Sequence, residues 1–408
     1  MSSGTLLAPL LVTPTGAPPL RGEALGALVT IPNAALAWRD GILTHAGPAS
    51  LLPESERPAP TVRATGAVIP GLVDCHTHLP FWGWRADEFA ARLSGRTYRD
   101  VQGGGGGIYR SARLLARAGD DDVLEFCLPL VAEMLAHGTT ALELKTGYGL
   151  SVEGELRQAR LARRLASSIP QTTAVTLLAC HAVPDGMERA RWVGLVCDEL
   201  IPAAADEHLV DAVDVYVEDI AFSVDDLRRV ADTAQEHGLA MRCHADQLGH
   251  SGATEAAVAA GARSADHLNH VGAEGVAALG AAARTVGVLL PTSTLFLGAS
   301  PSDVSRLVSS GAALGFATDF NPGTSPCLSI PEVIATAAAL YRVPSRVALS
   351  GATLNAAWVL GLHDRLGSLE VGKRADFGVL DTEDPAMIAY RPGHNPVAGT
   401  WVAGSRVV

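Results

Sequence analysis

From about residue 66 onward, short apolar runs rich in β-branched residues alternate with longer Ala/Leu/Arg/Glu segments whose apolar positions recur at helical spacing. That alternation predicts βα units laid on a parallel sheet. Eight runs fit strands: Ala67 to Asp74, Thr140 to Lys145, Ala174 to Ala179, Val213 to Val217, Ala240 to Cys243, Ser264 to His267, Thr285 to Leu290 and Ala313 to Thr318. Eight is the number that closes a (β/α)8, TIM-like barrel. Helical patterns fall between them at Asp121 to His137, Ser151 to Ser168, Val224 to His237, Gly252 to Ala260 and Ile330 to Tyr341, most ending near a glycine or proline.

Both ends of the chain depart from this rhythm. Residues 1–65 are rich in proline, glycine and short β-prone runs, and the tail carries Gly367-Ser-Leu-Glu-Val-Gly372-Lys-Arg-Ala-Asp376 and a last strand-like run from Val397. The expectation is a small β-sandwich-like domain made from 1–65 with 360–408, flanking a barrel over 66–359. The run Gly103 to Gly107 opens a helical segment, Ile108 to Ala118. It lacks a preceding strand and a following Lys-Ser/Thr, so a turning loop fits better than a phosphate cradle.

Composition narrows the class. With 408 residues, 48% of them hydrophobic, the chain can bury a large core. Its net charge of −12, with no Lys/Arg block, argues against nucleic acid or an acidic membrane surface and for a small-molecule partner. Nearly all basic charge is arginine; the lysines are Lys145 and Lys373. No run approaches the ~18 apolar residues of a membrane span. The short apolar patch Leu6 to Val12 has no basic residue before it and a proline inside it, which makes a poor signal peptide. The six cysteines form no C-x-x-C pair and sit in apolar runs, which suggests free thiols in a reducing cytoplasm.

The chemistry collects at the strand ends. His76 and His78 close the first apolar run, and side chains at i and i+2 of a strand share a face, so two imidazoles can grip one ion. The third strand leads to His181, the fifth to His244, the sixth contains His267, and the eighth leads to Asp319. In a barrel these positions converge on one pocket. The other eight histidines fall in loops or helical segments. Cys75, Cys180 and Cys243 each precede a site histidine and so should point to the opposite face.

These residues match a known pattern. Val73-Asp-Cys-His-Thr-His78, Arg85-Ala-Asp-Glu-Phe89, Glu143-Leu-Lys-Thr-Gly-Tyr148-Gly-Leu150, His181-Ala-Val-Pro184, His244-Ala-Asp-Gln247, Ser264-Ala-Asp-His267-Leu and Ala317-Thr-Asp319-Phe-Asn321-Pro-Gly323-Thr324-Ser-Pro326 resemble the metal-dependent amidohydrolases, and within them the imidazolonepropionase family of histidine degradation. The resemblance covers essentially the whole chain. It implies one zinc or iron ion per subunit held by His76, His78, His244 and Asp319. It also implies substrate contacts from Arg85, Tyr148, His181, Gln247, Asn321, Gly323 and Thr324, with Asp319 and His267 handling protons. The implied reaction is hydrolysis of the ring amide of 4-imidazolone-5-propanoate to N-formimidoyl-L-glutamate, in a cytoplasmic homodimer.

Bottom-up chemistry agrees with that ligand set. Three imidazoles and a carboxylate suit an ion that activates water for hydrolysis. A dinuclear relative would carry a bridging lysine at the fourth strand, but the exit there reads Val217-Glu218-Asp219. Lys145 is expected to be an ion-pair partner instead. Arg85 can clamp a carboxylate or can pair with Asp87 and Glu88. Gln247 stands where some relatives have glutamate, and an amide cannot act as a base.

Three stretches differ from the family's pattern and are expected to reshape the pocket: Phe81-Trp-Gly-Trp84, Asn269 after Asp-His-Leu, and Pro291 to Phe296. The main competing reading is a deaminase or cyclic-amide hydrolase acting on another carboxylated heterocycle. A non-catalytic metal-bearing scaffold is the alternative from a different class.

Overall fold

A computed structural model describes residues 3–56 and 61–408. Eight parallel strands form one sheet in strict sequence order: β1 (Leu72–Asp74), β2 (Thr139–Lys145), β3 (Thr172–Cys180), β4 (Ala212–Val217), β5 (Ala240–Ala245), β6 (Ser264–His267), β7 (Val286–Leu289) and β8 (Ala313–Phe316). Helices cross between them, as the alternating pattern requires. No ladder joins β8 back to β1, and side chains and loop backbone close the barrel there. The Asp74 carboxylate accepts from the Thr318 backbone N–H (3.1 Å) and from its hydroxyl (2.6 Å). Beyond the strand ends, His78 N–H donates to the Phe320 carbonyl (2.8 Å) and Arg85 N–H to that of Pro322 (3.0 Å). The two loops that leave β1 and β8 are therefore bound to each other.

The first apolar run serves two sheets. Val68–Pro70 pairs with Phe377–Val379 and, at Leu11, with the long strand Gly4–Pro14, whereas Leu72–Asp74 pairs with β2. The chain changes sheet at Gly71, where an added Cβ would collide with the Thr140 hydroxyl, so this close approach needs glycine. The second sheet takes all its strands from the two ends of the chain. Gly4–Pro14, Leu28–Arg39 and Ile42–Pro48 lie on one side of Val68–Pro70, and Phe377–Leu380, Val397–Val402 and Ser405–Arg406 on the other, while Thr61–Arg63 pairs beside Gly4–Pro14. It is one mixed sheet that runs past residue 65. Phe377 stacks on Trp401 (ring centroids 5.0 Å apart) and meets Trp38 (5.7 Å), which forms its apolar centre.

The glycine run precedes a helix, as expected. Gly107–Arg117 (α3) follows the short helices Ala86–Leu93 (α1) and Tyr98–Gly103 (α2). The backbone N–H that opens α3, at Gly107, donates to the Glu88 carboxylate (3.1 and 3.3 Å). The anion at this helix start is thus the protein's own. Asp120–Ala136 (α4) and Val152–Ser167 (α5) follow. All six cysteines are free, and no helix among the described residues is long and apolar enough to cross a membrane.

Candidate active site

Two of the strands that lead to site histidines, and β2 with its lysine, carry a second polar residue two positions earlier, and strand alternation turns both inward. Asp74 precedes His76, Arg242 precedes His244, and Glu143 precedes Lys145 on β2. On β4 the alternation Ala-Val-Asp214-Val-Tyr216-Val places Asp214 and Tyr216 on the inner face. The result is a buried ionic floor. Lys145 Nζ lies 2.8 Å from Glu143 and 2.7 Å from Asp214, and Arg242 pairs with the other oxygen of Glu143. Lys145 is thus an ion-pair partner, as expected. Burial alone would lower its pKa, but Asp214 and Glu143 override burial and raise it.

The floor orients the histidines above it. His76 Nδ1 pairs with Asp266 (2.7 Å), and His244 Nδ1 pairs with Asp214 (3.0 Å). A carboxylate behind Nδ1 fixes the tautomer and presents Nε2 as a ligand. The buried Nε2 atoms of His76 and His244 make no hydrogen bond in the protein. Asp319 Oδ1 lies 3.1 Å from His78 Nε2 and 3.5 Å from His76 Nε2. Ligand-capable atoms of His76, His78 and His244 lie within 4.8 Å of one another, as do those of His76, His267 and Asp319. These five side chains are therefore brought together as a set that fits a metal ion. The paired Nδ1 atoms and the partnerless, buried Nε2 atoms are what such an ion needs.

Burial favours neutral imidazoles at His76, His78, His181 and His267. Burial pushes His76, His78 and His181 well below the usual histidine range, and His267 down to about 3. For His244 burial acts the same way, but the Asp214 charge overcomes it and raises the pKa. Burial raises Asp266 to about 7. Cys75, Cys180 and Cys243 are buried, and burial pushes their thiols well above the ordinary value. None of the three belongs to the ligand cluster.

Above the floor the loops are tied by side chains close in sequence or on an adjacent loop. The loop after β2 gives the N–H groups of Gly147, Gly149 and Leu150 to the buried Glu155 carboxylate (2.9, 2.7 and 3.0 Å) and that of Tyr148 to Gln158 (2.9 Å). After β5, Gln247 and Leu248 N–H donate to Glu218 (both 2.7 Å). After β8, Asn321 Oδ1 accepts from Gly323 N–H (2.9 Å), Thr324 N–H (2.7 Å) and the Thr324 hydroxyl (3.0 Å), while its Nδ2 donates to the Asp319 carbonyl (2.7 Å). The Asn321 amide thus holds the loop in shape. His267 and Asp319 have positive φ (77° and 56°), and at Asp319 the Asn321 amide holds the carbonyl of that residue.

Arg85, Tyr148, His181, Gln247, Asn321 and Thr324 line one cavity together with His78, His244, His267 and Asp319. Gly323 belongs to the same loop, and a Cβ there would collide with the Arg85 guanidinium. Arg85 is buried, with Nη1 2.5 Å from the Ser111 hydroxyl and Nε 3.2 Å from Glu88. His181 stacks on His78 (5.2 Å, 20° between planes) and its Nδ1 is 3.1 Å from the Gly147 carbonyl. The cavity is about 30 Å3, on the order of one or two waters. A hollow of about 830 Å3 between Gly22 and Arg346 is far larger but has no histidine among its lining residues. Chemistry, not size, marks the site.

The sequence reading missed Asp214, Asp266, Glu155, Glu218, Ile108 and Tyr216. The polar positions alternating with valine on β4 were the available signal for Asp214 and Tyr216. The departures from the family's pattern lie outside the cavity wall. Phe81 packs with Trp84, Phe126 and Phe320 (centroids 5.4, 5.7 and 5.7 Å), and Asn269 donates to Thr294 (3.0 Å) and to the Ser300 carbonyl (2.9 Å).

Residues 67–407 match the amidohydrolase family. The chain is 43% identical over 372 residues to the imidazolonepropionase of Cupriavidus taiwanensis, covering 90% of this chain and 89% of that one. It is 40% identical over 380 residues to the imidazolonepropionase of Brucella anthropi, covering 92% and 94%. Among solved structures, a guanine deaminase from Bradyrhizobium japonicum (TM-score 0.73, 15% identity, 100% and 99% covered) and a zinc-bound adenosine deaminase from Xanthomonas campestris (0.71, 19%, 98% and 92%) share the fold. With a parallel eight-stranded barrel, a histidine–aspartate cluster at its strand ends and this degree of identity over nine-tenths of its length, the chain belongs to the amidohydrolase family and, within it, to the imidazolonepropionases.

Proposed function

We propose that the chain hydrolyses the ring amide of 4-imidazolone-5-propanoate to N-formimidoyl-L-glutamate. One observation carries this reading: the buried Arg85 lines the same cavity as His78, His244 and Asp319 of the ligand cluster, so an anion-binding group and a metal-ligand set share one small cavity. A substrate with a carboxylate tail and a hydrolysable ring uses both.

His76, His78, His244 and Asp319 would hold one zinc or iron ion. When bound, that ion supplies the Lewis acidity that makes water nucleophilic near neutral pH. Arg85 takes the tail carboxylate, and Gly323 leaves room for its guanidinium. Asp319 accepts a proton from the attacking water as the C–O bond forms and returns it to the ring nitrogen as the C–N bond breaks. His267, with burial holding its pKa near 3, stays neutral and donates a hydrogen bond to the developing oxyanion. Gln247 cannot take a proton and orients the ring. Tyr148 and His181 complete the contacts from the loops after β2 and β3, and Thr324 adds one beside the tail. The free cysteines fit a reducing cytoplasm, and a homodimer is the expected assembly.

The test is purified chain with 4-imidazolone-5-propanoate, following loss of the imidazolone absorbance and identifying the product by mass. Turnover that disappears on chelation and returns with zinc or iron is expected. Metal-loaded chain that leaves the compound intact would overturn the assignment.

A further inference from the structure

We propose that Tyr216 is a further specificity-determining residue, one whose phenol hydroxyl contacts the carbonyl edge of the substrate's heterocycle; this rests on the function proposed above. Tyr216 is buried, lines the same cavity as Arg85 and His267, and has no part in the ligand set or the family pattern that pointed to the site. Its place is fixed by the sheet, because Tyr216 on β4 is the direct ladder partner of His244 on β5. Its ring meets that of His244 edge-on (centroids 5.7 Å, planes 67° apart) and that of His181 likewise (6.1 Å, 74°). The phenol is thus wedged between an imidazole of the ligand cluster and one of the expected substrate contacts.

The order of strands says which part of the substrate lies beside it. Arg85 leaves β1 bound to the loop after β8, through its N–H to the Pro322 carbonyl. In a barrel numbered in sheet order, β4 stands across from β8. A tail held by Arg85 directs the ring toward the β3–β4 wall, where His181 and Tyr216 stand. A phenylalanine would fill the volume between the two imidazoles equally well. What tyrosine adds is a hydroxyl, and a Tyr hydroxyl in a binding site is the kind of group that discriminates among ligands by hydrogen bonding.

The experiment compares Tyr216→Phe with wild type, both metal-loaded, using two competitive ligands that carry the same tail. Hydantoin-5-propanoate has a ring carbonyl, and imidazole-4-propanoate has none. Tyr216→Phe should weaken the hydantoin about tenfold, leave the imidazole within twofold, and raise KM for 4-imidazolone-5-propanoate more than it lowers kcat. Metal content and Tm should match wild type. Equal weakening of both ligands, or of neither, would overturn the proposal, because a purely structural tyrosine cannot tell a carbonyl from its absence. Wild type that binds neither ligand and does not turn over the imidazolone would sink the proposed function itself. Wild type that does both, matched by the variant, removes Tyr216 alone.

Discussion

The floor of the site and its rim are built differently. The floor consists of side chains on regular strands, locked by long-range ion pairs: Asp266 to His76, Asp214 to His244, and Lys145 between Glu143 and Asp214. The rim consists of loops, each held by a carboxylate or amide close in sequence or on an adjacent loop, such as Glu155 under Gly149 and Asn321 under Thr324. The floor sets what can be held with near-rigid accuracy, whereas the rim sets what can enter and can change without disturbing the ligands. Substitutions should therefore separate, with metal affinity following the floor and KM following the rim.

Asp214→Asn should break the floor most severely. It removes the negative charge behind His244 and the charge that pairs with Lys145, so metal affinity should fall by about 100-fold, read by competition with a chromogenic chelator. Unchanged affinity would mean the ion pairs are incidental to ligation. A buried carboxylate outside the site supplies a contrast. Asp376, in the terminal sheet, has Arg374 as its salt-bridge partner (3.0 Å), and burial pushes its carboxyl from 3.8 up to about 6. The folded state then holds a proton that the unfolded chain releases, so this contribution to stability is present below 3.8 and is lost as pH rises through about 6. The loss is about 3 kcal/mol. In Asp376→Asn, denaturant midpoints measured from pH 4 to 7 should lose that downward slope, while metal binding is untouched.

On the rim, Arg85→Ala should raise KM for the carboxylated imidazolone by about 30-fold, on the order of 2 kcal/mol for a lost charged hydrogen bond. Metal content should not change; a fall in metal with no change in KM would reverse the division between floor and rim. Glu155→Gln should act more weakly. One amide oxygen can still serve part of the loop's N–H groups, so kcat/KM should drop by about 10-fold with full metal occupancy. Loss of metal in this variant would show that the β2 loop supports the floor as well.

Much of this was legible in the chain, for identifiable reasons. The strands are apolar runs with a fixed period, and His76, His78, His181, His244, His267 and Asp319 all stand at or just past the ends of those runs, where a barrel gathers side chains. The change of sheet at Gly71 was hidden because the residues on both sides of it are equally apolar. The carboxylates behind the histidines were hidden for another reason. Asp266 and His76 are 190 positions apart, and no local pattern announces such a pairing. Arg85 showed both of its candidate partners in the sequence, but only the fold reveals that it pairs with Glu88 and faces the cavity. Asn321 shows the limit of motif reading. It lines the cavity as a substrate contact would, but its amide is spent on its own loop.

The most direct test of the central claim, that four ligands on one floor hold one ion for one hydrolytic site, is stepwise reloading of metal-stripped chain with zinc or iron while turnover of 4-imidazolone-5-propanoate is recorded. Activity should rise linearly and saturate at one ion per chain, and His244→Ala should remain flat throughout. Activity that needs a second ion, or that survives without any, would contradict the account.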